Sequence, residues 1–590
     1  MSRGSRHLFG VTIVNDPTLC RRLYLWFLSH TILLTTIGAL ITMKAFQLPV
    51  VALWVAQAVG QDTTQRPLHE EDRALPGIPR VVSTDLEQYI ERIREEWHAP
   101  GLAVAIVDGN NTWAKGYGFA VLNSTPVTPH TLFYTGSTTK SFTAAGLSLL
   151  IDNATATSSV YSGLNWKTPV SSILRDDFVL SDEWATAHIT VEDALSHRTG
   201  YPRHDLAPAT TAQETARLLR HLPMTAEPRT TFQYNNKMFG VMGYLIEVLT
   251  GSWLGDFFRE YLWEPMGMNE TFFSLGDAKR SGLVLANEYY YNPVDGSYLE
   301  MPHEPFSAEE GAGSVVSNVL DYAKYLRVMM AESAPISKAG HREVKTPRTL
   351  VAASMAPFTG PVSYALGWNT AILGGEQVYF HSGGVNMFIS MMMMIPSRQI
   401  GVVVFTNTDV KAPQVIANHI LSEHLGIPEN KRPDMNRQYM AEKKAQQKYL
   451  TTCADTLYPS LPTPPLLPTV PIPDHVGEFY DAGYGTLKVD LDCSDSVEQC
   501  QLRLLGMGGE EFAYLEPTIY LEPMSGNYWL GRAYIGGKKA PAGGIPIVCV
   551  PVEFKIDVHS TVTQIGVGLR LEGGDEPLVW FDRVIIPLEK

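Results

Sequence analysis

The spacing of apolar positions changes several times along the chain, and each change marks an element. The first signal is an apolar-rich run over 23–42, preceded by Arg21-Arg22, with His30 in it and no Asp, Glu, Lys or Arg. It is long enough to cross a bilayer. After a polar stretch over 61–79 the period becomes helical. Thr84-x-x-Glu87 has the form of a capping box ahead of an amphipathic helix that reaches Trp97. Apolar runs over 102–107 and 113–120 then predict two strands, folded into a hairpin about Asp108-Gly109-Asn110-Asn111. Residues 141–350 are mostly helical in period. Within them 141–150 reads as a buried helix of small residues. Met238, Val241, Met242, Leu245, Ile246 and Leu249 line a second helix that stops at Gly251. Strand character returns over 362–406, and a closing helix is predicted over 413–425. Strands and helices at both ends of a helical insert describe an α/β chain of the α+β kind.

Residues 426–470 are rich in Lys and Gln and then in Pro, which predicts an exposed, partly stiff linker. From Val476 the pattern becomes short strands punctuated by Gly, over 483–489, 502–505, 548–552 and 578–584, the mark of a β-sandwich or small barrel. The reading is therefore a targeting segment (1–60), a linker (61–83), a main domain (84–425), a second linker (426–470) and a C-terminal all-β domain (471–590).

Composition narrows the function. The chain has 590 residues, 45% of them hydrophobic and 18% charged, which are globular values and enough for a large core. A net charge of −15 argues against a nucleic-acid surface. A P-loop, an H-E-x-x-H helix, a zinc-type Cys/His spacing and a G-x-S-x-G elbow are all missing from the sequence.

Three short motifs carry chemistry. Ser137-Thr138-Thr139-Lys140 sets a hydroxyl and an amine one helical turn apart, so that the lysine can help remove the serine proton. The approach Thr131 to Gly136 and the helix beyond put the serine at a helix N-terminus, where free N–H groups favour an oxyanion. Tyr234-Asn235-Asn236 falls on the loop entering the second helix. A tyrosine lowered by a nearby ammonium can act as base and then acid, and Asn236 can bond both the lysine and a substrate amide. His381-Ser382-Gly383-Gly384 lies in the strand region, where glycine admits a second backbone, here that of a substrate. The Gly384 N–H is then a second oxyanion donor beside that of Ser137. Each motif alone has a plainer reading: a helix cap with a solvated lysine, an Asn-rich helix start, a hairpin with an exposed histidine.

Taken together, Ser-x-x-Lys, then Tyr-x-Asn about 100 residues later, then His-x-Gly about 150 beyond that, follow the order found in class C β-lactamases. The chain resembles the β-lactamase-related serine hydrolases, which include D-Ala-D-Ala carboxypeptidases, D-aminopeptidases, esterases and acyltransferases. Three further stretches resemble the family: Leu195-Ser196-His197-Arg198-Thr199-Gly200, Gly311-Ala312-Gly313-Ser314 and Tyr364-Ala365-Leu366-Gly367-Trp368. The resemblance covers roughly 85–425 and implies a mixed antiparallel sheet with a helical lobe and the site between them. It implies Ser137 as acylated nucleophile, Lys140 as its activator and Tyr234 as proton shuttle. Asn236, His381, Ser382, Gly383 and Gly384 would line the substrate and oxyanion site. No metal and no cofactor are implied. The C-terminal domain resembles the lipocalin-like domain of some members. Where classical members have Lys-Thr-Gly, this chain has His-Ser-Gly. A neutral histidine suits a substrate carboxylate less well than a lysine does.

The substrate expected is thus a small ester or amide, or a peptide, with no nucleic-acid partner. Two alternatives stand beside a hydrolase or acyltransferase: a D-amino-acid peptidase, and a non-catalytic scaffold of the same fold. The N-terminus has two readings. In one, Met43 begins a signal peptide cleaved near Ala58. In the other, 23–42 is a membrane anchor with its basic end in the cytosol. Both put the main domain outside the cytosol. Four cysteines, Cys453, Cys493, Cys500 and Cys549, lie beyond residue 450 and allow three pairings. Four sequons, at Asn110, Asn123, Asn153 and Asn269, are candidate glycan sites.

Overall fold

The computed structural model describes residues 83–154, 162–293, 295–493, 500–506, 518–534, 547–569 and 578–585. The targeting segment and most of the first linker lie outside them. The first helix is Thr84–Glu96, and its cap is Ser83 rather than Thr84. Ser83 holds extended backbone and its hydroxyl accepts the Leu86 N–H at 3.1 Å, so the helix begins one residue earlier than the capping-box pattern indicated.

Nine strands form one antiparallel sheet. Their spatial order is Thr125–Pro126, Asn111–Val121, Gly101–Asp108, Ile400–Thr406, Phe388–Ile395, Glu376–Val385, Asn369–Leu373, Val362–Tyr364 and Thr349–Ala352. The first hairpin closes where Asp108 pairs with Asn111, as the Asp-Gly turn predicted. Register joins the two ends of the domain: Leu102 faces Thr406 and Asp108 faces Ile400. The continuous apolar runs of the central strands follow from burial on both faces. On one face Ala103, Ala105, Met392, Met394, Val403 and Phe405 enter the main core. The alternate residues Leu102, Val104, Met391, Met393, Val402 and Val404 enter a second core beneath the helices Thr84–Glu96 and Ala412–His424. The run Met391 to Met394 is thus two interleaved faces of one strand.

The stretch 426–470 is not merely a linker. Met435–Leu457 forms a helix capped by Asp434, whose side chain accepts the Arg437 N–H. Its Ala, Lys, Gln, Glu and Met content favours helix, and Met435, Leu450 and Cys453 supply a buried edge. Beyond it, eight strands between Gly477 and Arg583 close into an antiparallel barrel. Cys453 pairs with Cys549, tying that helix to a barrel strand, and Cys493 pairs with Cys500 across two neighbouring strands. Among the described residues no single helix is long and apolar enough to cross a membrane.

Candidate active site

The turn that carries Ser137 is fixed on three sides. Gly136–Thr138 forms a single 3-10 turn leading into the helix Thr139–Ala154. Thr135 is held by its N–H and hydroxyl, which both donate to Val315 O at 2.9 Å, and its own carbonyl accepts the Ser390 hydroxyl at 2.6 Å. Thr138 exchanges a hydrogen bond with the Tyr322 hydroxyl at 2.8 Å. Gly383 of the third motif lets its strand lie against this turn. A Cβ on Gly383 would meet Thr135 O and Ser390 Oγ, and a Cβ on Gly136 would fall 2.7 Å from Gly384 N. Gly136 also holds φ +55°, which glycine adopts without strain. The Ser137 and Gly384 amides are consequently neighbours at a helix N-terminus.

Lys140 is fully buried, and its ammonium nitrogen touches three oxygens. It lies 2.7 Å from Asn236 Oδ1, 3.0 Å from Ala312 O and 3.1 Å from Ser137 Oγ. Burial, the largest cause, lowers its pKa to about 7, against the opposing pull of Glu309 and Asp205. Near neutral pH the amine and the ammonium are therefore both populated. A neutral amine has two hydrogens and one lone pair. Two of the three neighbours are carbonyl oxygens that can only accept, so in the neutral form the hydrogens go to Asn236 and Ala312 and the lone pair faces Ser137, whereas the ammonium donates to all three.

Ala312 belongs to the glycine-rich segment singled out in the sequence. A Cβ on Gly311 would lie 2.5 Å from Phe239 O, so only glycine lets this segment press against the helix Asn236–Thr250. Thr143 donates to Gly311 O at 2.6 Å and Val315 N–H donates to Thr139 Oγ1 at 3.2 Å, stitching the segment to the serine helix.

Tyr234 sits just before the helix Asn236–Thr250, whose cap is Asn235. The Lys140 nitrogen is 4.8 Å from the centre of its ring and the Arg203 guanidinium 4.6 Å. Its hydroxyl shares a hydrogen bond with Ser137, yet burial outweighs these influences and raises the phenol well above its ordinary value. The expectation of a lowered tyrosine therefore fails here. Burial also lowers Lys140, the cation expected to lower the phenol, and holds Tyr234 in its protonated form.

His381 is buried with both ring nitrogens engaged. The Tyr364 hydroxyl is 2.8 Å from Nε2 and the Ser382 carbonyl 2.6 Å from Nδ1. Ser382 O can only accept, so Nδ1 carries the proton and Nε2 accepts from Tyr364. Burial, with Lys140 adding to it, lowers His381 to about 3, and the ring stays neutral. The exposed positions of this strand are Ser382 and Gly384. His197, from the Leu-Ser-His segment, lies 4.3 Å from the Tyr234 ring and 4.7 Å from that of Tyr364. Its Nδ1 accepts the Asn235 N–H at 3.0 Å.

Four charged groups near the site, in two ion pairs, had no motif to announce them. Asp205 accepts from Asn236 Nδ2 at 3.0 Å and pairs with Arg203 at 3.3 Å. Behind Asn236, Lys237 and Glu309 form a buried ion pair at 2.8 Å. A separate cavity of about 1010 Å³, lined by Trp184, Arg220, Met224 and Glu227 among others, includes none of the predicted residues. The four sequon asparagines are all exposed.

The chain is similar to several known proteins. The family model described as Beta-lactamase matches residues 86–425. The chain is 37% identical over 520 residues to the unguisins hydrolase ungD' of Aspergillus campestris (strain IBT 28561), spanning 85% of this chain and 91% of that protein. It is 23% identical to a D-aminopeptidase of Gluconobacter oxydans (strain 621H) over 59% of this chain and 63% of that one. In structure it is similar to the octameric penicillin-binding protein homologue from Pyrococcus abyssi, with a TM-score of 0.53 and 22% identity over 84% of this chain and 99% of that one. From a β-lactamase-like sheet and helical lobe, a C-terminal barrel and this breadth of similarity, it follows that the chain belongs to the β-lactamase family and is a serine hydrolase of that type.

Proposed function

We propose that the protein cleaves an ester or amide through an acyl-enzyme on Ser137. The observation that carries this reading is the buried Lys140 nitrogen 3.1 Å from Ser137 Oγ, with two other neighbours that can only accept and so leave the neutral amine's lone pair for the serine. Lys140 takes the hydroxyl proton as Oγ attacks the carbonyl carbon. The developing oxyanion is held by the Ser137 and Gly384 N–H groups at the helix N-terminus. Tyr234, still protonated, gives its proton to the departing amine or alkoxide and is restored by the Lys140 ammonium. Water then repeats the sequence on the acyl-enzyme. Acceptance by an alcohol or amine instead of water would make the same site an acyltransferase.

The neutral, fully bonded His381 supports a substrate without a carboxylate at the third motif. This favours neutral esters or peptide amides over penicillins, and the similarity to a hydrolase of unguisins and to a D-aminopeptidase supports the peptide reading. The two disulfides and four exposed sequons support a route outside the cytosol. Incubation with a fluorophosphonate and with a peptide-amide and ester panel tests the proposal. The expected result is a covalent adduct on Ser137 and turnover that vanishes in Ser137→Ala. Full turnover in that variant would overturn it.

A further inference from the structure

In neutral Lys140 the Asn236 and Ala312 oxygens together leave the lone pair for Ser137, and the orientation of the Asn236 amide is imposed from outside the three motifs. An asparagine amide can face Lys140 with oxygen or nitrogen. Its Nδ2 donates to Asp205 Oδ1 at 3.0 Å, and a carboxylate can only accept, so Oδ1 must turn to Lys140. Reversed, the amide nitrogen would meet Lys140 and compete for the lone pair.

Asp205 in turn lies on a segment braced at every step. The Asn235 amide donates to Pro202 O. Arg203 covers the Tyr234 ring and pairs with Asp205. His204 points the other way: its Nδ1 meets the Tyr484 hydroxyl of the barrel at 2.6 Å and its Nε2 the Pro223 carbonyl at 2.8 Å. Lys237 donates to Ala207 O at 2.7 Å. His204 holds φ +49°, the left-handed region, uncommon outside glycine. Such a conformation persists only where its surroundings enforce it.

We propose that Asp205 is a positioning residue for the acylation reaction, fixing the Asn236 amide so that Lys140 can accept the Ser137 proton. This rests on the acyl-enzyme reading above. Asp205 acts in two separable ways, as a hydrogen-bond acceptor and as a negative charge. The other titratable or charged groups around Lys140 are Arg203 of the same segment, Glu309 in its pair with Lys237, Tyr234, and the neutral His197 and His381. Since the Asp205 carboxylate favours the charged lysine, its removal moves the Lys140 titration to lower pH.

The test measures the second-order rate of fluorophosphonate labelling at Ser137 against pH in the full chain, with adducts located by mass. Asp205→Asn keeps an acceptor for Asn236 and loses the charge. The expected result is a rate near wild type on the plateau, with the acid limb shifted down by about 1 pH unit. Asp205→Leu loses both and should slow labelling about 10- to 100-fold, the cost of a misplaced reacting group. Wild-type behaviour in both variants, or equal losses in both with the acid limb unmoved, overturns the proposal. If the wild-type protein itself takes no label at Ser137, the acyl-enzyme reading fails first, and this inference with it.

Discussion

At the level of single residues, the proposed mechanism makes Lys140 set the pH behaviour. Burial lowers its pKa to about 7, so the reactive amine appears as pH rises through that value and the ammonium form dominates below it. Labelling of Ser137 should therefore climb through neutrality and level off above it. A rate independent of pH between about 5 and 9 would remove Lys140 as the base. Lys140→Arg keeps a cation that cannot deprotonate, and the rate should fall at least about 100-fold. Tyr234 has the opposite character. Its raised phenol keeps its proton for the leaving group, so Tyr234→Phe should slow amide cleavage by about 100-fold while sparing an ester whose leaving group needs no proton. Equal losses on the two substrates would instead assign Tyr234 to the attack on the carbonyl.

Secondary-structure elements bring the three motifs together, and glycines set how closely they approach. Gly383 permits the strand Glu376–Val385 to lie against the Ser137 turn, and a methyl there would collide with the Thr135 carbonyl, which has little freedom to move. Gly383→Ala should cost about 1–3 kcal/mol of stability, as overpacking does, and displace the Ser137 amide. Thermal unfolding with labelling checks this, and a variant with both unchanged would show that the strand can retreat. The same elements explain what was legible in the sequence. Ser137, Lys140, Tyr234, Asn236 and the glycines could be read because their chemistry demands given residue types at given spacings. Asp205 and Arg203 could not, because an irregular segment braced by distant partners leaves no period. The helix Met435–Leu457 was hidden by its polarity, since little of it is buried. The barrel strands Thr518–Ser525, Tyr528–Tyr534 and Val562–Val567 went unread, because their partners rather than their sequences define them. His381 was read as facing the ligand, and only the coordinates give it Tyr364 as a partner.

Across the described residues, two of the links that join the barrel to the rest differ in kind. One is a pin. Tyr484 meets His204, and a Cβ on Gly483 would lie 2.7 Å from Leu222 Cδ2, so the barrel's first turn sits tightly on the segment that carries Asp205. The other is a staple. The Cys453–Cys549 bridge spans 96 residues and ties the helix Met435–Leu457 to a barrel strand. The pin adjoins the proposed catalytic network, whereas the staple acts on the unfolded chain by removing loop entropy, about 4–5 kcal/mol for a loop of this length. Their deletion should have different signatures. Tyr484→Phe takes away one hydroxyl from a buried partner, which costs about 1–3 kcal/mol, and leaves His204 free to shift. Ser137 labelling should then slow several-fold with only a small change in melting temperature. Paired Cys453→Ser and Cys549→Ser should lower the melting temperature by several degrees while labelling at 25 °C stays near wild type. Calorimetry and labelling on both variants decide the matter. If the cysteine pair slowed labelling as much as Tyr484→Phe, the influence of the barrel would travel through its general attachment. If only Tyr484→Phe slowed it, the path through His204 to Asp205 would be the one that reaches the serine.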